Sequence, residues 1–438
     1  MGICHSFKAR RLKLEATILI GFRVSFHFQY FSRRAMISVY LDSQDYSALS
    51  AEVLTPELAQ VKDTLLGMAA TGDVRFVFSS VVVCEAVPTG PHAVRYAIAR
   101  GDFLTQLCRR NALVHTATLL ENEILALADG RAAPIDAMSE TQDWFPTSEF
   151  DDPTPLSEVM REYIKTDPEV QAMPRQQRRE LARKVFKQDS LRPEIQSAIR
   201  ALAGQNYVKS IMARFPMERS QADVFRRYAL NEATKEEATE AMKASLRDPC
   251  WLMRWFAENP ELAVSLADMV RQPGRKLGSE FRSLVEIAGR LKATAGYGGN
   301  GRSLWEQLPI STQVDWANKV NRQLLGTAEK IGTRCGIKFD QPPTIGDMAR
   351  SCPGLDATVR AMMSSVWDNI GGTRKELPSD SQFPDAMHAM YAPYVDIFRA
   401  DAYMSQHIQR QVKRHGTQVV AKLRELPGAI TCFSKNRL

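Results

Sequence analysis

Four acidic residues stand where apolar, β-rich stretches end or helices begin. Asp42 follows the run ISVYL (37–41), and Glu85 follows RFVFSSVVVC. Far downstream, FPDAMHAMYAPYVDIFRADAYM supplies Asp385 and Asp401, sixteen residues apart with a predicted strand between them. In open α/β sheets the loops at the carboxyl ends of the strands converge on one crevice. Asp42 and Asp401 would share that rim if their strands are neighbours, with Glu85 and Asp385 on helices opening off it. Several carboxylates facing one pocket repel each other and are normally tolerated with a cation present. Oxygen ligands with no His/Cys set nearby point to Mg2+ or Mn2+ rather than Zn2+. Such ions polarise a phosphate, generate hydroxide from water and stabilise a leaving oxygen.

Each residue also has an ordinary explanation. Asp42 could cap a helix, as could Asp385, and Glu85 could be a solvated helix residue. Asp45 reads as a turn or cap residue. Asp396 lies inside YVDIF, where a carboxylate is either a site residue or part of an edge or buried ion pair. His388 follows Asp385 by three on the same helix face. A packed or hydrogen-bonded histidine is its ordinary role, a catalytic one the alternative.

The elements that must position these residues fall into two α/β stretches around a helical one. Residues 37–41 and 75–80 read as strands, with a helix over 56–71 opened by Pro56 and broken at Gly72-Asp73. SSVVVCEAV enters a helix carrying Glu85, and helical patterns continue to about 125. Strand–helix–strand–helix order with short connections predicts a parallel sheet. From 126 to 375 the pattern is almost wholly helical. Candidate helices are 155–165, 174–188, 191–204, 219–229, 234–246, 259–270, 278–292, 312–331 and 355–369, with DDPTP, RQPGRKLG, GYGGNGRS and QPPT as the loops. From 376 the α/β signal returns: PYVDIFRA (393–400) as a strand, helices over about 402–415 and 417–425, and AITCF (429–433) as an edge strand. The expected organisation is thus a leader at 1–35, an α/β half at 36–125, an all-α insertion at 126–375 and a second α/β half at 376–438.

The net charge of +7 is unevenly placed. Residues 1–35 hold seven basic side chains and one acid, a net +6, leaving +1 for the remainder. A global basic field is therefore a weak argument for nucleic acid. The leader's apolar run ATILIGF is too short to span a bilayer, which needs about 20 apolar residues. It also lacks the long core and small-residue cleavage site of a signal peptide. Met36 directly precedes the first strand, so translation is expected to start there, and no membrane association is expected. The seven scattered cysteines contain no CxxC pair, which suits a reducing cytoplasm better than a disulfide framework.

Outside the acids, Arg175, Arg179, Arg183 and Lys187 recur every four residues and would form one basic stripe on a helix. The stripe could contact a phosphate backbone or be a solvated face. GYGGNGRS lacks the Gly-Lys-Ser/Thr ending of a phosphate loop. The tryptophans sit at helical spacings that suit core packing.

The four acidic motifs resemble, in order and setting, those of the PIN-like nuclease superfamily: YLDS at Asp42, SSVVVCE at Glu85, DAMHA at Asp385 and FRAD at Asp401. The resemblance covers about 36–125 and 376–438. It implies a three-layer α/β domain with a parallel sheet, here split by the insertion, and a divalent-metal endonuclease in which the acids hold Mg2+ or Mn2+. RNA is the expected substrate rather than DNA, and a toxin or defence role is a further analogy. The insertion would select substrate or bind a regulatory protein partner. Ala400 departs from the pattern, standing where that superfamily commonly has Thr or Ser. A non-catalytic scaffold that binds protein or nucleic acid through its helical region is the alternative function.

Overall fold

The order of β-rich segments in the sequence becomes a four-stranded parallel sheet in the computed structural model. It describes residues 36–131, 136–146, 156–188, 190–195, 197–198, 208–209, 211–213, 215–230, 232–294, 310–371 and 382–437. Strand β1 (Ile37–Tyr40) pairs with β2 (Val74–Val77) on one side and with β5 (Ile397–Arg399) on the other, and β5 pairs with β6 (Gln418–Val420). The spatial order is β2-β1-β5-β6. The register sets Val39 beside Ile397 and Tyr40 beside Phe398. The aromatic rings of Tyr40 and Phe398 stack at 5.0 Å between centroids. Val39, Tyr40, Phe76, Val77, Ile397 and Phe398 are all buried, as expected of parallel strands covered on both faces.

The first half contributes α1 (Ser43–Leu49), α2 (Pro56–Thr71), α3 (Ser80–Ala86), α4 (Val94–Cys108) and α5 (Thr116–Ala128). Local chemistry sets their ends. Thr55 caps α2 through its hydroxyl to the Leu58 amide, Pro56 occupies the first turn, and Gly72 closes the helix at φ 80°. The middle of the chain supplies α6 (Leu156–Thr166), α7 (Pro168–Ala172), α8 (Arg175–Val185), the hairpin β3–β4 (Phe186–Lys187, Ser190–Leu191), α9 (Arg219–Ala229), α10 (Lys235–Leu246) and α11 (Pro249–Glu258). It continues through α12 (Pro260–Thr294), α13 (Ile310–Arg334), α14 (Ile345–Ser351) and α15 (Pro353–Gly371). The last part holds α16 (Gln382–His388), α17 (Ala402–Val412) and α18 (Leu426–Asn436). Among the described residues no helix is long and apolar enough to cross a membrane.

Several expectations are corrected. RQPGRKLG is not a loop: α12 runs through Pro273 as one helix of 35 residues. An internal proline costs a helix about 3 kcal/mol; the turns before it are held by Ala263, Ala267 and Val270, which bury one face of α12 in the main core. The strand expected over 393–400 is shortened to Ile397–Arg399, because residues Ala389–Tyr394, with Pro393, form a 3-10 turn. The expected helix over 417–425 is instead β6 followed by a single 3-10 turn; the free edge of β5 offers Gln418–Val420 a ladder. AITCF is helical, not an edge strand. Leu426, Ile430 and Phe433 fall on one helical face and pack against the core. The helix expected at 191–204, the loops DDPTP and GYGGNGRS and the 1–35 leader lie largely or wholly outside the described residues.

Residues Met36–Leu438 form one compact unit. Helices α11, α12 and α15 share the core of the sheet: Leu252, Met253, Trp255 and Phe256 join it, as do Ala357 and Ala361. A second tie joins α5 to α15. Glu123 is fully buried and accepts the amides of Gly354 (2.6 Å) and Leu355 (3.0 Å) at the start of α15, and also Tyr394 Oη. Burial pushes its carboxyl up to about 7 against these donors. Gly354 is required here by close approach, since an added Cβ would lie 2.6 Å from the Met390 carbonyl and 2.8 Å from Glu123 Oε1. Gly354→Ala is therefore expected to lower unfolding free energy by about 2–3 kcal/mol. Urea denaturation would measure it, and an unchanged midpoint would show that the α5–α15 tie carries little.

Candidate functional site

The two central strands deliver an aspartate each to the same rim. Beyond β1 the chain turns into α1 at Asp42; beyond β5 it turns into α17 at Asp401. Both residues do cap their helices. Asp42 Oδ1 accepts the Gln44 amide at 3.3 Å, and Asp401 Oδ1 accepts the Tyr403 and Met404 amides at 2.6 and 2.9 Å. Capping fixes one oxygen of each carboxylate, and the second oxygen has no hydrogen-bond partner among the described residues. Cap and ligand are thus compatible roles for one side chain. Asp385, in the first turn of α16, completes a trio: one oxygen from each of Asp42, Asp385 and Asp401 lies within 4.8 Å of the others. Asp385 makes no hydrogen bond or ion pair of its own among the described residues. Its burial, followed by the charges of Asp42 and Asp401, pushes its carboxyl well above the ordinary range.

Glu85 stands beside the trio but is held by other partners. Its Oε2 pairs with His388 Nε2 at 2.7 Å. His388 Nδ1 meets Tyr40 Oη at 2.5 Å, and Tyr40 Oη meets Ser79 Oγ at 2.7 Å. Burial opposes a charge on His388, but Glu85 and then Asp42 and Asp385 favour it, so its pKa rises to about 9. As an imidazolium it donates to both Glu85 and Tyr40, and Tyr40 donates on to Ser79. Burial alone would raise Glu85; the charge and hydrogen bond of His388, with Ser43 and Arg271, bring it below its ordinary value. His388 is therefore a buried, hydrogen-bonded histidine that orients an acid.

Asp45 and Asp396 are not brought into the trio. Asp45 Oδ2 accepts the Asp42 amide at 3.3 Å, closing a capping box, while its Oδ1 pairs with Arg399 Nη2 at 3.0 Å. Burial pushes Asp45 up to about 7 and Arg399 pulls it back. Asp396 lies at the amino end of β5, on the opposite side of the sheet from the rim. It accepts Ser38 N and Oγ at 2.8 and 2.9 Å and pairs with Arg437. Its role is to lock β5 against β1. Ala400 is buried at the end of β5 and offers no hydroxyl to the rim.

The basic stripe is only partly one helix face. Arg175, Arg179 and Arg183 are exposed on α8, but the helix ends at Val185 and Lys187 falls in β3. The main contacts of α8 run to α6 and β3, away from the acid-bearing helices. Sequence reasoning missed three arginines near the acids: Arg399, Arg100 and Arg271. Arg399 carried a signal, a charged residue inside the apolar run DIFRA; the other two are read only from the fold.

The donor set suits a hard divalent ion. Oxygens sharing one ion at about 2.0–2.6 Å lie within about 4–5 Å of each other, as these do. Comparison with known protein families, with curated proteins and with solved structures finds no match to this chain.

A raised carboxyl pKa means the folded chain holds that proton more tightly than the unfolded chain. Asp385 therefore withdraws stability as pH rises past the ordinary carboxylate range near 4. Asp385→Asn is expected to unfold at a higher temperature than the parent at pH 8 in EDTA, by about 1 kcal/mol, and to match it at pH 4. Differential scanning calorimetry reads both. Equal stability at pH 8 would show that the trio is not mutually repulsive.

Proposed function

We propose that this chain is a divalent-metal-dependent endonuclease with a PIN-like α/β domain, acting on RNA rather than DNA. The observation that carries the reading is the convergence of Asp42, Asp385 and Asp401 on one rim of a parallel sheet, from segments more than 340 residues apart. Asp42, Asp385 and Asp401 would hold Mg2+ or Mn2+, with Glu85 beside them. Bound there, one or two such ions supply the positive charge that a phosphodiester needs as it is attacked by water. The protein's own part is positional. The two helix caps fix Asp42 and Asp401, Asp385 would serve as a ligand in its ionised form, and His388 orients Glu85. A role as a toxin or defence effector, a protein partner at the helical region and a cytoplasmic location belong to this reading by analogy.

The test is cleavage of end-labelled single-stranded RNA, total tRNA and DNA by the purified full chain with Mn2+, Mg2+ or EDTA. Cutting is expected with metal and not with EDTA. Asp42→Asn and Asp401→Asn should each lose more than about a hundredfold in rate, since even outer-shell changes at metal sites cost 10–100-fold. Folded protein that cuts nothing under any metal, and that binds no Mn2+ by calorimetry, would leave the scaffold reading in its place.

A further inference from the structure

Two arginines meet at the carboxyl end of α3, next to Glu85, and among the described residues neither makes a direct ion pair. Arg271, on α12, donates through Nη2 to the backbone carbonyl of Glu85 at 3.3 Å. Arg100, on α4, donates through Nη2 to the next carbonyl, Ala86, at 3.0 Å, and through Nη1 to Ser47 Oγ at 3.4 Å. Both are half-buried, and Arg100 Nε is buried with no hydrogen-bond partner. Among the described residues no carboxylate lies within ion-pair distance of either guanidinium. Glu85 acts on both arginines through its charge but gives its direct ion pair to His388. The two cations feel each other: burial first, then Arg271, makes Arg100 less basic than usual. Two half-buried like charges are costly, and Glu85 offsets them only through space, so a further anion in direct contact would relieve them.

The elements explain why these cations belong to the acidic rim. Helix α12 packs against both α3, which carries Glu85, and α16, which carries Asp385. Its Arg271 thus reaches the backbone of Glu85, although it comes from the long helical region. Capping of the α3 carboxyl end is the lesser role these arginines fill, through Nη2 of each. Each Nη carries two hydrogens, so Arg271 Nη1 and the second hydrogens of the engaged Nη groups can still reach an oxyanion, while the buried Arg100 Nε points inward.

We infer that Arg100 and Arg271 form a phosphate-binding subsite, one arginine from the first α/β half and one from the helical region, that grips the nucleic-acid backbone beside the bond to be cut. This rests on the nuclease reading for its substrate, but binding and cutting are measured separately. The probe is a fluorescein-labelled single-stranded RNA, followed by anisotropy with the full-length Asp42→Asn chain across a salt titration. Arg271→Gln and Arg100→Gln are each expected to weaken binding about 5–10-fold and to reduce the slope of log K against log salt by about 0.7. Arg271→Lys should recover the slope but only part of the affinity, because it keeps the charge and loses the fork. Should a glutamine variant fail to fold, competition by inorganic triphosphate against the labelled RNA, compared between the Asp42→Asn chain and its Arg271→Lys form, reads the same contact. Glutamine variants with parental melting, affinity and salt slope would overturn the subsite, as would a parent that binds no RNA. A parent that never cuts but loses binding with either glutamine would keep the subsite and remove the nuclease reading.

Discussion

The fold and its acidic rim both depend on one pairing, β5 against β1. These strands come from opposite ends of the described chain, and their two paired positions, Val39 with Ile397 and Tyr40 with Phe398, decide where Asp401 falls relative to Asp42. A slip of one residue would turn Asp401 and the buried side chains of β5 to the wrong face. Asp396 guards against that slip. It accepts both the amide and the hydroxyl of Ser38, and Ser38 Oγ in turn receives the Asp396 amide at 3.0 Å. The loop closed by this contact is very long, but closure entropy grows only logarithmically with length. A small set of well-made contacts, added to the stacked rings of Tyr40, Phe398 and Tyr391, therefore suffices to join the ends.

The second constraint is charge. Bringing Asp42, Asp385 and Asp401 together costs repulsion, and the protein places compensating cations behind the acids rather than among them. Arg399 pairs with Asp45, whose other oxygen receives the Asp42 amide. His388 sits between Glu85 and the Tyr40–Ser79 pair. These partners steady the carboxylates from the interior. Arg399 keeps its Nε and Nη1 buried without partners, so this support is itself imperfectly satisfied, a strain of the kind found where polar groups are held for a purpose other than stability.

Much of this was legible in the sequence, for reasons that differ by element. Apolar runs ending in an acid located the rim because parallel strands deliver their carboxyl ends to one side. Asp42 and Asp401 were readable for that reason, and their capping role did not compete with it. Asp396 was ambiguous, since the sequence does not say which end of a strand a residue occupies until the strand's limits are known. The register put it at the amino end. The C-terminal segment was misread because short apolar stretches fit both periods. AITCF became helical once Leu426, Ile430 and Phe433 found the core, and Gln418–Val420 became a strand because β5 offered an edge. Arg100 and Arg271 left no signal in the sequence, as their meaning lies in the packing of α4 and α12 on α3.

Three helices of the long helical region, α11, α12 and α15, share the core of the α/β body, while Val208, Ile211, Met217 and Ala222 form a cluster of their own. A separately folded insertion would bury its own apolar faces and meet the host at a polar boundary. Here α11, α12 and α15 instead place Leu252, Met253, Val270 and Ala361 in the sheet's own core, and α15 takes its amino-terminal cap from Glu123 on α5. The cost of Pro273 inside α12 makes sense in the same terms. A break there would free the helix from the proline penalty but would loosen the turn that presents Arg271 to α3. Continuity of that helix joins the packing of the middle of the chain to the acid-bearing helices α3 and α16.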